Sequence, residues 1–464
     1  MMESSEGLPQ RWRAPRFAVS FIMFTLWILW AGLALADEKS VAEKIIEILR
    51  ANGQISEEQY KELVKEAGKE ESKPNDFRVY WKEGIRFESE DRKTEIKAGG
   101  VIQTDWAAFD PDEEVDAAFS DDDIDGHGVE FRRARLFVEG TIYENYEFKS
   151  EFEFAEGDVD FTDVWLGMKN IPYVGRIRVG HQKEPFSLEE LTSSKFITFM
   201  ERGLPNAFSP GRNTGLTLSN QELNGLMTWA MGAFYETDDF GDSFADFSDY
   251  QATARITGLP WYCEDGRELV HLGLSYSHKF RDSDETTVRF SARPEAHLTD
   301  ARLADTGSIA TDGVDLFNPE FAMVYGPFSL QGEYFQALVD SEADDYTDFY
   351  GFYVFASYFL TGEHRPYKTS SGAFDRVKPR QNFNPVKGGW GAWELGVRYS
   401  RLDLNDAGIT GGREQNYTFG LNWYPNPNMR VMFNYVLAQI EDREDLGIDD
   451  ADVNIFESRF QVDF

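Results

Sequence analysis

The chain reads as all-β: a transmembrane antiparallel β-barrel of sixteen strands, eighteen on the widest count, behind a short N-terminal helical extension. Three observations predict it. Apolar and polar residues alternate with a period of two through most of the chain from Phe77 onward. The connectors between alternating segments are of two kinds, tight turns and long acidic stretches. No long apolar run follows Ala36, so a mature chain that enters a membrane must do so as strands.

Composition agrees with this class. The 464 residues are too many for one ordinary helical core but suit one large barrel. Aromatics at 15% and 39 glycines favour twisted strands and turns over helices. The formal charge of −36 argues against a nucleic-acid partner. Cys263 is the only cysteine, which excludes an internal disulfide and any CxxC metal or redox motif.

Residues 1–36 read as an export signal. Arg11, Arg13 and Arg16 precede the uncharged run Phe17–Ala36, which ends Ala34-Leu35-Ala36 in the A-x-A manner of a cleavage site. An uncleaved anchor is the alternative, because the run is longer than most signal cores. No cysteine at the junction means no lipoprotein. Residues 37–75 differ from all that follows. Val41, Ile45, Ile48 and Leu49 repeat at helical spacing, Asn52-Gly53 breaks the helix, and Ser56-x-x-Gln59 opens a second one with Tyr60, Leu63 and Val64. Two short charged helices cannot bury a core alone, which leaves a small coiled coil or a periplasmic spacer. Pro74-Asn75 marks the boundary with the barrel, 76–464.

Within the barrel, Tyr146, Phe148, Phe152 and Phe154 alternate with Glu147, Lys149, Glu151 and Glu153. Val270–Tyr276, Trp393–Tyr399, Tyr417–Trp423 and Val431–Leu437 follow the same rule. Aromatics gather near segment ends, as an interfacial girdle requires. Glu144-Asn145, Gly326-Pro327 and Pro425–Asn428 are tight turns, whereas Asp110–Asp125, Asp238–Asp249, Asp340–Asp348 and Glu441–Asp452 are long and acidic. The last strand, Val453–Phe464, sets Phe456, Phe460, Val462 and Phe464 on one face. Three stretches keep the strand count open: Phe77–Ser89, Arg293–Asp315 and Thr361–Gly391.

The stretch 183–214 does not alternate, yet it carries Phe186, Leu188, Leu191, Phe196, Ile197, Phe199 and Phe208. A long loop that rich in apolar residues folds back against something larger, which makes it a candidate constriction loop.

Two blocks of residues resemble the phosphate-selective porin O and P family. One is Gly180-x-x-Lys183-x-Pro185-Phe186 with Glu189–Ser194, Met200-Glu201-Arg202 and Pro210-Gly211-Arg212. The other is Ser357–Glu363, Gly372–Val377-x-Pro379, Gly391–Leu395 and Arg398-Tyr399-Ser400. The resemblance spans essentially the whole mature chain. It implies a sixteen-stranded barrel, usually a homotrimer, in the outer membrane of a Gram-negative bacterium, among its lipid and lipopolysaccharide. It also implies a constriction loop folded into each pore, and a preference of phosphate-selective relatives carried by arginine and lysine arrays.

Read with that resemblance, Arg133, Arg135, Arg176 and Arg178 share inward strand faces, and Lys183, Lys195, Arg202 and Arg212 come from the loop. Together they form a candidate track for small anions of the phosphate class, because Arg and Lys rings select anions and Arg holds phosphate in a bidentate manner. The competing reading is that these bases pair with inward acids such as Glu139 and Glu201 and brace the barrel, as in a general or cation-tolerant porin. Another is a mainly structural barrel that tethers the envelope through residues 37–75. Asp121-x-Asp123-x-Asp125-Gly126 opens like a calcium loop but ends in Arg132 where a glutamate is needed. No metal spacing, nucleophile elbow, P-loop or dinucleotide fingerprint occurs, so no cofactor, metal or catalytic group is expected.

Overall fold

Sixteen of the alternating segments hydrogen-bond edge to edge and close on themselves. In this computed structural model they are β1 Glu95–Pro111, β2 Gly126–Ile142, β3 Tyr146–Glu153, β4 Asp160–Ile171, β5 Gly175–Lys183, β6 Arg212–Glu222, β7 Met227–Tyr235 and β8 Tyr250–Cys263. The second half comprises β9 Glu268–Phe280, β10 Ile309–Tyr325, β11 Phe328–Ser341, β12 Thr347–Phe359, β13 Ala392–Asp406, β14 Ile409–Asn426, β15 Met429–Arg443 and β16 Ile448–Asp463. The structure describes residues 49–50, 53, 55–70, 77–119, 124–157, 159–242, 250–281, 287–341, 347–406 and 408–464.

Each strand pairs antiparallel with the next, and β16 returns to β1 with Val453 opposite Pro111 and Asp463 opposite Val101. Phe464 completes the seam by exchanging backbone hydrogen bonds with Gly100, at 2.7 and 3.0 Å. Closure gives each of the sixteen strands a partner on both sides, which is the condition for strands to stand in lipid. The seam is tight. A Cβ on Gly100 would lie 2.5 Å from the Arg135 carbonyl oxygen and 2.9 Å from the Phe464 ring. Gly100→Val should therefore destabilise the closed barrel by about 1–3 kcal/mol. Reduced heat-modifiable mobility in electrophoresis checks this, and normal mobility at normal melting temperature refutes it.

The two faces of the wall follow the alternation. Leu395, Val397, Phe419, Phe433, Phe456 and Phe460 are exposed outward, while Glu394, Arg398, Asn422, Asn434, Glu457 and Arg459 are buried inside. Apolar side chains outside and polar ones within are the reverse of a soluble protein and the pattern of a membrane barrel.

On the side where β1 begins and β16 ends the connectors have two to four residues, with one exception, 360–391. Tyr143 and Glu144 both take left-handed backbone to make one of these turns. Short turns mark the periplasmic end and longer loops the extracellular end.

The three open stretches are now placed, and sixteen replaces eighteen. Phe77–Trp81 and Ile85–Ser89 form a hairpin on the periplasmic end of β1, where Ile85–Glu88 pair with Glu95–Ala98. Of Arg293–Asp315, the part before Ile309 belongs to an extracellular loop holding the small hairpin Ser291–Ala292/Ala304–Asp305. Thr361–Gly391 falls in the one long periplasmic connector. A further correction concerns Glu441–Asp452: it is mostly the extended ends of β15 and β16, joined by a turn at Glu444–Leu446. Strand ends that rise above the bilayer are wet on both faces, so acids occupy them as readily as loops.

The chain divides into the units Met1–Asp76 and Phe77–Phe464. In the first, α-helix Glu57–Glu70 starts from the expected reciprocal cap: Ser56 N–H donates to Gln59 Oε1 at 2.9 Å and Gln59 N–H to Ser56 Oγ at 3.2 Å. The stretch 1–36 read as an export signal, the apolar repeat Val41–Ile48 and the acids Asp121 and Asp123 lie outside the described residues.

Candidate functional site: the lumen and its infolded loop

Strands β5 and β6 part at the pair Lys183–Arg212, and residues 184–211 turn into the barrel. Ser187 makes the corner with φ 66°, and its Oγ accepts from Glu190 N–H at 3.1 Å. The single helical turn Leu188–Leu191 then points its first N–H groups at the wall: Leu188 and Glu189 donate to the Glu333 carboxylate at 2.9 and 2.8 Å. Apolar burial fixes the rest. Phe186, Phe199, Leu204 and Phe208 are buried against Phe335, Tyr353, Phe355 and Leu402, each contributing on the order of 2 kcal/mol. Phe199 sits over Gly396 and Gly420, which face each other across β13 and β14; a Cβ on either would come within 3.1–3.2 Å of its ring. The glycine pair is thus a seat cut for one side chain.

The backbone of 195–201 is strapped by inward side chains of the last four strands. Arg430 donates to Ile197 O at 2.6 Å, Asn422 to Thr198 O at 2.7 Å and Arg398 to Glu201 O at 2.9 Å. Gln461 reaches Lys195 O at 3.3 Å, and Arg459 reaches Met200 O. The Glu201 carboxylate lies between Arg132 (2.9 Å) and Arg459 (2.6 Å), and Arg459 also holds Asp105 at 2.6 Å.

The eight cations singled out in the sequence separate into three groups. Arg176, Arg178 and Lys183 line one lumenal cavity of about 810 Å³ toward the periplasmic end. Arg135 and Arg212 stand nearer the extracellular side in a chain of ion pairs. Arg135 meets Glu153 at 2.6 Å, Lys149 bridges Glu151 and Asp163, and Arg212 meets Asp163 at 3.2 Å. Arg133 is buried and bonded to Gln103 at 2.7 Å, and Arg202 braces the loop itself through Glu190 and three backbone carbonyls. Burial alone would raise the pKa of Glu190, but Arg202 and Lys183 outweigh it and hold it at about 2. Lys195 is half-buried and has no ion pair among the described residues; its ammonium lies 5.4 Å from the Phe137 ring, which Lys97 also approaches, at 4.9 Å.

The cavity gathers eight cationic side chains (Arg86, Lys97, Lys169, Arg176, Arg178, Lys183, Arg255 and Lys368) and three acids (Glu95, Glu139 and Glu147). Arg176 and Lys169 pair with Glu147 at 2.8 and 3.7 Å, Lys97 with Glu139 at 3.3 Å, and Arg255 with Glu320 at 2.7 Å. Arg178 and Lys368 have no carboxylate partner among the described residues. Arg178 lies 4.1 Å over the Trp165 ring, and its Nε has no hydrogen-bond partner. A guanidinium held flat by an aromatic face is fixed in orientation, and here it lines the cavity.

A hollow barrel with a polar lining and a loop fixed across it is the geometry of a porin. Residues 96–464 match the family described as phosphate-selective porin O and P. The chain belongs to that family. It is an outer-membrane porin of the Gram-negative type, a channel in family and fold. It is similar to Porin O of Pseudomonas aeruginosa, 26% identical over 413 residues that cover 81% of this chain and 90% of that protein. It also resembles an uncharacterised protein of Caulobacter vibrioides, 29% identical over 396 residues, 83% of this chain and 77% of that one. Among solved structures, the anion-selective porin from Comamonas acidovorans aligns with 80% of this chain and 100% of its own, at 13% identity and a TM-score of 0.49.

The porin has a second infolded segment that its sequence did not disclose. Connector 360–391 rises from the periplasmic mouth until Phe374 N–H meets Thr192 Oγ1 of the loop at 3.4 Å. Arg365 bonds Gln331 at 2.6 Å, and the Tyr367 hydroxyl pairs with His271 Nδ1 at 2.7 Å, with His271 Nε2 on Glu320 at 3.1 Å. Its Lys368, Ser370 and Ser371 line the cavity from below. Sequence reasoning also missed Arg132. A bulge opposite Gln103 and Thr104 turns Arg132 and Arg133 both inward. The signal was present, because Val129 and Phe131 are odd-numbered and Leu136 and Val138 even-numbered, and one lipid face cannot carry both without an extra residue.

Proposed function

We propose that this porin passes small inorganic anions, phosphate foremost, by diffusion through the cation-lined cavity between the loop and the periplasmic connector. The cavity's excess of cations over acids, with Arg178 and Lys368 unpaired, is the observation that carries the reading. Arginine and lysine donors replace the anion's hydration while the paired bases keep the wall rigid. Residues 1–36 act as the export signal and 37–75 as a periplasmic helical extension in this reading. Homotrimeric assembly, with lipid and lipopolysaccharide around it, belongs to the same proposal.

A general porin is the second reading, favoured by the ion pairs that engage Arg135, Arg176, Lys183, Arg202 and Arg212. Reversal potentials of single channels in potassium chloride and potassium phosphate gradients separate the two. The anion reading expects anions over potassium, more strongly at low salt, where the Debye length is about 10 Å at 0.1 M against 3 Å at 1 M. Cation preference would end the phosphate assignment and leave the porin. Assembled protein without channels would point to the tethering role.

A further inference from the structure

Beyond Val377 the periplasmic connector leaves the lumen and ends on the outside of the barrel. Phe383 N–H donates to the Pro425 carbonyl at 2.7 Å, beside the β14–β15 turn, which sets this stretch at the periplasmic rim. The Phe383 ring meets Trp423 edge-on at 5.1 Å, and Trp423 stacks on Trp393 at 5.7 Å. Both indole N–H groups donate to the Trp390 carbonyl, at 3.2 and 2.9 Å. Trp393 and Trp423 are register partners on the face that carries Leu395, Val397 and Phe419, the lipid side.

A turn projects from this platform. Asn384 Oδ1 accepts from Val386 N–H at 3.1 Å and Lys387 N–H at 3.0 Å, and its backbone exchanges bonds with Gly389. The turn is set without a core, yet Val386 is 92% exposed and Trp390 71%. Apolar side chains on a preformed turn beside an indole platform match a non-aqueous neighbour.

Charge identifies that neighbour. Residues 376–393 hold Arg376, Lys378, Arg380 and Lys387 and no acid, in a chain whose formal charge is −36. Arg376 is bound to Asp463, and Lys378 pairs with Glu83 at 3.1 Å. Arg380 and Lys387 are exposed and have no carboxylate at ion-pair distance among the described residues. We infer that residues 378–390 dock an anionic glycerophospholipid of the periplasmic leaflet. Phe383, Val386 and Trp390 enter the acyl region, and Arg380 and Lys387 hold the phosphodiester.

Native mass spectrometry of the full-length porin, with phosphatidylglycerol or phosphatidylcholine added at equal concentration, tests this. The unaltered protein should retain phosphatidylglycerol about fivefold more than phosphatidylcholine. Arg380→Glu with Lys387→Glu should abolish the preference and leave conductance and heat-modifiable mobility unchanged. In vesicles, bromine-labelled phosphatidylglycerol should quench a fraction of tryptophan fluorescence that Trp390→Phe removes. Equal retention of both lipids, or an intact preference in the double variant, overturns the inference. So does dissociation of the oligomer by Val386→Ser with lipid retention intact, which would make the turn a contact between copies.

Discussion

If the proposed anion selectivity holds, Arg178→Glu combined with Lys195→Glu is expected to abolish it. These two bases lack carboxylate partners among the described residues, so their charge is not cancelled locally. In a wet lumen a unit charge acts on an ion 4 Å away with about 1 kcal/mol, and more where protein lowers the dielectric constant. Reversing one sign therefore swings the local energy of an anion by about 2 kcal/mol, on the order of thirtyfold in occupancy. Two such sites should lower the chloride-to-potassium permeability ratio by at least about tenfold. Reversal potentials in a potassium chloride gradient report it. Arg133→Gln is the control, because Arg133 is buried behind Gln103 and should leave the ratio alone. An unchanged ratio in the double variant, or a loss of preference in the control, would place selectivity elsewhere.

Arg459→Met is the second large effect. Arg459 is fully buried, and its guanidinium serves Asp105, Glu201 and the Met200 carbonyl at once. Removing it leaves Asp105 buried without its cation, a loss of about 3–5 kcal/mol. The folded barrel should melt at lower temperature. It should also conduct with more open-channel noise, since one strap on the infolded loop is gone. Adding Asp105→Leu should restore much of the melting temperature but not the quiet channel, because the Met200 carbonyl stays untied. Recovery of both by the second substitution would show that the strap does not govern the loop.

The fold was largely legible because lipid imposes one rule on every strand, and Phe456 and Phe460 or Leu395 and Val397 obey it residue by residue. The loop was legible for a related reason: Phe186, Phe199 and Phe208 needed a wall to bury against. What escaped notice is set by distance along the chain. Arg398, Arg430 and Arg459 could be placed on inward faces, but nothing local says that their targets are carbonyls 197, 233 and 259 residues earlier. Connector 360–391 escaped because loop length was the guide to sidedness, and this one violates it. The cations were found more readily than their acids. Asp163 and Glu190, partners of Arg212 and Arg202, carry no sequence mark that distinguishes a brace from a bystander.

The straps on residues 195–201 come from β13 to β16, within residues 392–464, and the seam closes through Phe464. The aperture is therefore set only once those four strands have paired and closed the barrel against β1. Loss of β16 would leave both a gap in the wall and an unset bore, two faults from a single missing piece.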